Sequence, residues 1–192
     1  MITKKRIDFS LYKKEAPAQL GGGVIGGGVK HAMSDNPSLS SVMKLFKKDC
    51  LIFWVSDGDW SMHELLMALI AVTGPVHVNI SSYAMGETPA RVLAQLKQQG
   101  AILSLRCVLD DRIDVRSAGS LQLIKSVSDE INLLKTHAKV TLLMNDEWQV
   151  SVIGSANYTE NKRFETGIIT TDQHAYAFNN RWITKALKHG NN

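Results

Sequence analysis

Thr136-His137-Ala138-Lys139-Val140-Thr141-Leu142-Leu143-Met144, followed after the turn-like Asn145-Asp146-Glu147 by Trp148-Gln149-Val150-Ser151-Val152-Ile153-Gly154-Ser155-Ala156-Asn157, decides how this chain reads. Val140 to Leu143 and Trp148 to Ile153 are apolar runs on either side of the turn, which predicts a pair of strands. A His and a Lys two apart on a strand project from the same face. His137 and Lys139 are therefore expected side by side. Gly154 ends the second strand and leaves the Ser155 hydroxyl and the Asn157 amide near that face. A nucleophile, a fixed cation and short hydrogen-bond donors are what phosphoryl chemistry without a metal needs.

Upstream of this hairpin, strand and helix patterns alternate. Cys50 to Val55 and Val76 to Ile80 read as strands, as does Ala101 to Leu109. Trp60 to Val72 has helical spacing, with Ser61 and Glu64 as a capping box and Gly74-Pro75 as its end. Thr88 to Gln99 reads as a second helix, with Thr88 as N-cap, Pro89 at the first position and Gly100 as the stop. Ala118 to Asp129 is helical in pattern, and Ile131 to Lys135 is a short strand leading into His137. Downstream, Glu165 to Thr170 is one more strand, and Asp172 caps a last helix that runs to about Lys188. The alternation predicts an α/β fold: a mixed, mostly parallel β-sheet flanked by helices.

The first 48 residues differ in character from the rest. They hold nine Lys and Arg against three acidic residues, a net +6, whereas the remaining chain nets −2. Gly21-Gly-Gly-Val-Ile-Gly-Gly-Gly28 has six glycines in eight positions, too much backbone entropy for a regular element without outside support. It lacks the Gly-Lys-Ser/Thr ending of a P-loop and follows no strand. The division expected is a flexible, basic, Gly-rich arm over residues 1–48, which can pack on a partner subunit, and a globular domain over residues 49–192. The basic arm suits a polyanion such as nucleic acid, or serves as a solvated tail.

At 192 residues and 44% apolar composition the chain can bury a substantial core. No apolar run approaches the roughly 20 residues of a membrane span. The basic N-terminus has no apolar stretch behind it that reads as a signal peptide. Cys50 and Cys107, each inside an apolar run, read as buried free thiols, and a cytoplasmic location follows as the default. Asp57, Asp59, Asp110, Asp111 and Asp114 fall at strand ends or in a turn with Arg112 and Arg116, so no metal site is expected there. Trp54, Trp60, Trp148 and Trp182 lie in apolar segments and read as core or interface anchors.

Taken together, His137-Ala-Lys139, Gly154-Ser-Ala-Asn157 and Glu165-Thr-Gly-Ile-Ile resemble the HKD motif of the phospholipase D superfamily, in particular its small nuclease branch. The resemblance runs from about residue 49 to the C-terminus and is strongest over residues 135–188, including Tyr176, Phe178 and Trp182 of the last helix. It implies a phospholipase D-like fold and a metal-independent phosphodiesterase that needs no cofactor. One departure is plain: the family's Asp, five residues after the lysine, is Met144 here. Asp146 either takes its place after a shift, or the acidic group is absent.

The family reaction needs two histidines, a nucleophile and a general acid, and no second His-x-Lys occurs in the chain. The resemblance therefore implies a homodimer with a composite active site. In it, His137 of one subunit attacks phosphorus and His137 of the other protonates the leaving alcohol. Lys139, Ser155 and Asn157 bind the non-bridging oxygens, and Glu165 orients a histidine. Nucleic acid, DNA or RNA, is the leading substrate, and no base-reading signature is present. The alternatives are a catalytically degenerate nucleic-acid-binding protein that keeps the fold, and a phospholipid phosphodiesterase.

Overall fold

The computed structural model describes residues 23–25, 29–34, 38–160 and 162–189. The lysines and arginine of residues 1–22, most of the glycine run and residues 35–37 lie outside them. Among the described residues nine strands form one sheet: β1 (Gly23–Ile25), β2 (Val29–Ser34), β3 (Cys50–Ser56), β4 (Val76–Ser82), β5 (Ile102–Asp110), β6 (Glu130–Leu134), β7 (Val140–Met144), β8 (Gln149–Gly154) and β9 (Glu165–Thr170). Their order across the sheet is β1-β2-β3-β9-β8-β7-β4-β5-β6.

This order corrects the expectation of a mostly parallel sheet. Only β2–β3, β4–β5 and β5–β6 pair in parallel, and the other five pairings are antiparallel. The cause is local. The Asn145 turn folds β7 and β8 into a hairpin, with Trp148 N–H and Glu147 N–H donating to Asn145 Oδ1 at 2.9 and 3.0 Å. That hairpin wedges between β4 and β9 and runs against both.

Helices cover the two faces unequally. On one face α1 (Leu39–Leu45), α2 (Met62–Thr73), α3 (Glu87–Gln98), the single turn α4 (Ile113–Arg116) and α5 (Ala118–Val127) share a core with β3, β4 and β5 through Val42, Phe46, Leu65, Leu69, Leu93, Ile80, Leu105, Ile113 and Ile124. Val42, Met43, Leu45 and Phe46 are thus part of that core. On the other face α6 (Gln173–Leu187) lies on β5, β7 and β8 through Tyr176, Ile183 and Leu187 packed on Val108, Val140 and Leu142. Apolar burial on both faces is what makes β5 and β7 near-continuous hydrophobic runs.

Capping sets the helix starts. Glu64 accepts from Ser61 N–H at 2.8 Å, the capping interaction read from the sequence for α2. Asp172 accepts from Ala175 N–H at 2.7 Å and starts α6. The start of α3 differs from expectation. Gly86 is its N-cap and Glu87 its first residue, so Thr88 and Pro89 lie inside the first turn. An acidic Glu87 there complements the helix dipole, and Pro is tolerated because first-turn N–H groups have no intrahelical acceptor. Gly100, at φ 72°, ends the helix as expected. Cys50 and Cys107 are buried and unpaired, and burial pushes the Cys107 thiol up to about 12. No helix among the described residues is long and apolar enough to cross a membrane.

Candidate functional site

The hairpin and its neighbours bring the predicted residues to one end of the sheet. Lys139 C=O accepts from Gly154 N–H at 3.3 Å, and Val140 pairs with Ile153, so the chain leaving β8 begins opposite the chain entering β7. His137 and Lys139 stand on one side of that end, Ser155 and Asn157 on the other.

His137 and Lys139 are not on a strand, contrary to the reading above. Residues 135–139 form the connection between β6 and β7, which starts at Val140. Three contacts hold this connection. Thr136 N–H donates to Asp110 Oδ2 at 3.4 Å, Ser81 Oγ donates to Ala138 C=O at 3.3 Å, and Lys139 Nζ reaches back to His137 C=O at 2.7 Å. His137 is exposed, and its ring meets Tyr83 edge to face at 4.8 Å between centroids. Lys139 is half-buried, and that burial lowers its pKa against the opposing influence of Glu165.

Asn157 is fixed from behind. Its Oδ1 accepts from Ala84 N–H at 3.2 Å and from Ser82 Oγ at 3.4 Å. With the amide oxygen occupied, the Nδ2 hydrogens are the end left to donate to an incoming oxygen. The next residue, Tyr158, is buried, with its hydroxyl 2.8 Å from Thr141 Oγ1 and its carbonyl accepting from Gly86 N–H at 2.7 Å. Asn157 is thus tied to the loop after β4 that carries Tyr83, the residue in contact with His137.

Ser155 and Glu165 form a pair of their own across β8 and β9. Ser155 Oγ donates to Glu165 Oε2, and Thr166 N–H donates to Ser155 Oγ at 3.1 Å. In this structure the Glu165 carboxylate thus receives the Ser155 hydroxyl. The close approach of these strands rests on two glycines. A Cβ on Gly167 would lie 2.4 Å from Ile153 O and 2.6 Å from the Trp54 ring, and one on Gly154 would lie 2.6 Å from Thr166 O.

Asp146 is placed elsewhere. It sits in the β7–β8 turn and lines a small cavity with Lys48, Trp148 and Thr171 at the opposite end of β7, roughly 20 Å along the strand from Lys139. It does not stand in for the missing Asp. Met144 packs on the α6 side of the sheet and pairs with Gln149 of β8.

The structure adds a group that the sequence reading missed. Tyr83 is surrounded by cations: Arg116 Cζ at 4.6 Å, Arg112 Cζ at 5.0 Å and Lys139 Nζ at 5.4 Å from its centroid. Asp110, whose side chain is 1% exposed, lies 2.8 Å from Arg112 Nε and 3.8 Å from Arg116 Nη1. The hydrogen bond from Arg112 holds its carboxyl below the ordinary carboxylate range. The signal was available: Asp110 closes a long apolar strand, and carboxyl ends of parallel strands are where α/β sheets place ligands. Among the described residues, no three His, Cys, Asp or Glu side chains gather into a metal-binding group.

No family model matches the chain, and no curated protein matches it in sequence. Among solved structures it is similar to polyphosphate kinase from Porphyromonas gingivalis, at a TM-score of 0.48 and 12% identity over 71% of this chain and 22% of the kinase. It is also similar to TrmBL2, an archaeal chromatin protein with a novel mode of DNA binding, at a TM-score of 0.46 and 11% identity over 69% of this chain and 50% of that protein. The chain therefore spans about a fifth of one of these proteins and half of the other.

Proposed function

We propose that this protein is a phosphodiesterase of the phospholipase D type that cuts nucleic acid without a metal. The observation that carries the reading is the convergence at one sheet end of an exposed imidazole, a half-buried ammonium, an amide with its oxygen tied down, and a hydroxyl–carboxylate pair. His137 attacks phosphorus and becomes a phosphohistidine as the P–O bond to the leaving alcohol breaks. His137 of a second subunit gives that alcohol its proton, then takes one from the water that cleaves the P–N bond. Lys139 and Asn157 Nδ2 neutralise the non-bridging oxygens, where charge builds in the transition state. Glu165 orients an imidazole, and Ser155 turns its hydroxyl from Glu165 to the phosphate when substrate binds.

A second reading, a nucleic-acid-binding protein that has lost catalysis, draws on Met144 at the family's Asp position and on Glu165 being engaged by Ser155. One experiment decides between them: cleavage of labelled single- and double-stranded DNA and RNA in excess EDTA by the parent and by His137→Ala. Cleavage by the parent, lower by at least about a thousandfold in the variant, supports the enzyme. Binding without cleavage by either chain supports the second reading.

A further inference from the structure

We propose that the groove beside His137, together with the Tyr83–Arg116 cluster that adjoins it through Asp110 and Arg112, is a second phosphate subsite that holds the neighbouring nucleotide of a nucleic-acid strand while its scissile phosphate sits at His137. The inference rests on the phosphodiester reading of His137 and names the substrate's extended form. The groove is an open cavity of about 850 Å³, with Lys135, Thr136 and His137 on one side and Asp110, Arg112 and Val115 among its other walls.

Its charges are built in place. Tyr83 stands between Ser82 and Ala84, both bonded to Asn157, and its ring touches His137 while the two guanidinium groups and Lys139 surround it. The same ring therefore sets the spacing between the cation at the reacting phosphate, Lys139, and the cations one step away, Arg112 and Arg116. Asp110 occupies part of the Arg112 fork, and it reaches Arg116 only at 3.8 Å. Arg116 thus keeps most of its donors for a phosphate, where a planar fork binds two oxygens at once.

The rest of the lining favours a nucleotide over a bare polyanion. Val115 is 87% exposed on the groove wall, an apolar surface that suits a base or sugar. Asp111 and Asp114 also line the groove, so with Asp110 it holds three carboxylates against Arg112 and Lys135, which disfavours closely spaced phosphates. A strand whose phosphates alternate with neutral bases meets both conditions, whereas inorganic polyphosphate meets neither.

The test is binding, so it does not depend on turnover. Fluorescence anisotropy in EDTA, on the full chain carrying His137→Ala, compares labelled thymidine dinucleotide with an oligothymidylate of about eight nucleotides. The longer probe is expected to bind more tightly. Arg116→Gln, which leaves Arg112 on the buried Asp110, is expected to cut the ratio of the two affinities about tenfold. It is also expected to lower the salt slope for the longer probe by about 0.7, one single-strand phosphate contact. Arg116→Lys restores part of both, and Lys135→Gln on the exposed rim lowers the ratio without touching Asp110. Equal affinities for the two probes, an unchanged ratio in both Gln variants, or equal competition by inorganic polyphosphate overturns the proposal. Length-dependent binding, with no cleavage by the parent chain in the separate nuclease assay, leaves this subsite standing and removes the hydrolase reading instead.

Discussion

In the proposed site Lys139 must be charged to meet a phosphate, and its own surroundings oppose that charge. Its ammonium is partly withdrawn from water, and burial lowers its pKa below the ordinary 10.5 while Glu165 opposes the shift. A lysine that must be charged to receive a phosphate gives activity that is full at lower pH and falls as pH rises through that lowered value. The alkaline limb of kcat/KM is therefore expected below 10.5. Lys139→Arg is expected to move that limb out of the measurable range while lowering the rate, since a guanidinium stays protonated. A limb that stays in place in the variant assigns it to another group. Asp110 follows the opposite limb. Its folded pKa is depressed by Arg112, so its contribution to stability is present above the ordinary carboxylate range and is lost as pH falls through the depressed value. Thermal melts from neutral to acid pH check this: Asp110→Asn is expected to be less stable at neutral pH and to lose less on acidification than the parent.

The strands explain why these side chains stay where they are. Between β8 and β9, Gly154 and Gly167 lie opposite each other with the Trp54 ring across them, and there is no room for a methyl group against Ile153 O. Gly167→Ala must push backbone against backbone, and about 2–3 kcal/mol of destabilisation is expected. For a domain of this size that lowers Tm by roughly 5–10 °C. An unshifted Tm removes the glycine pair as the support of Ser155 and Glu165. Much of this architecture was legible in the sequence. The β7–β8 hairpin, the capping of α2 and α6 and the Gly100 stop of α3 follow from periodicity and turn chemistry. Two features were not. Strand direction depends on which neighbour the hairpin joins, and nothing in a local pattern encodes that β7 runs against β4. The Tyr83 group was hidden because its members, at positions 83, 112, 116 and 139, come from three separate connections between strands and helices with no common spacing. Lys139 was found because it is two residues from His137, whereas Arg112 and Arg116 meet it only through a ring in space.

The proposed assembly rests on a count of chemical groups. The chain holds one His-x-Lys, and the proposed reaction consumes one imidazole as nucleophile while a second acts as acid. A two-fold pairing that brings both His137 side chains to one phosphate satisfies that need with a single gene product, because an isologous contact presents the same patch twice. His137 is exposed at the sheet end, so such a pairing does not require the core to open. The consequence is a mixing law. When parent and His137→Ala chains exchange subunits at constant total protein, only parent–parent pairs keep both imidazoles. Activity is then expected to fall as the square of the parent fraction, with the mass of the dimer unchanged in light scattering. A linear fall means that each subunit completes its own site, and the general acid must then be sought within one chain. Tyr83 and Glu165 are the groups to examine in that case, since Tyr83 touches the His137 ring and Glu165 faces Lys139.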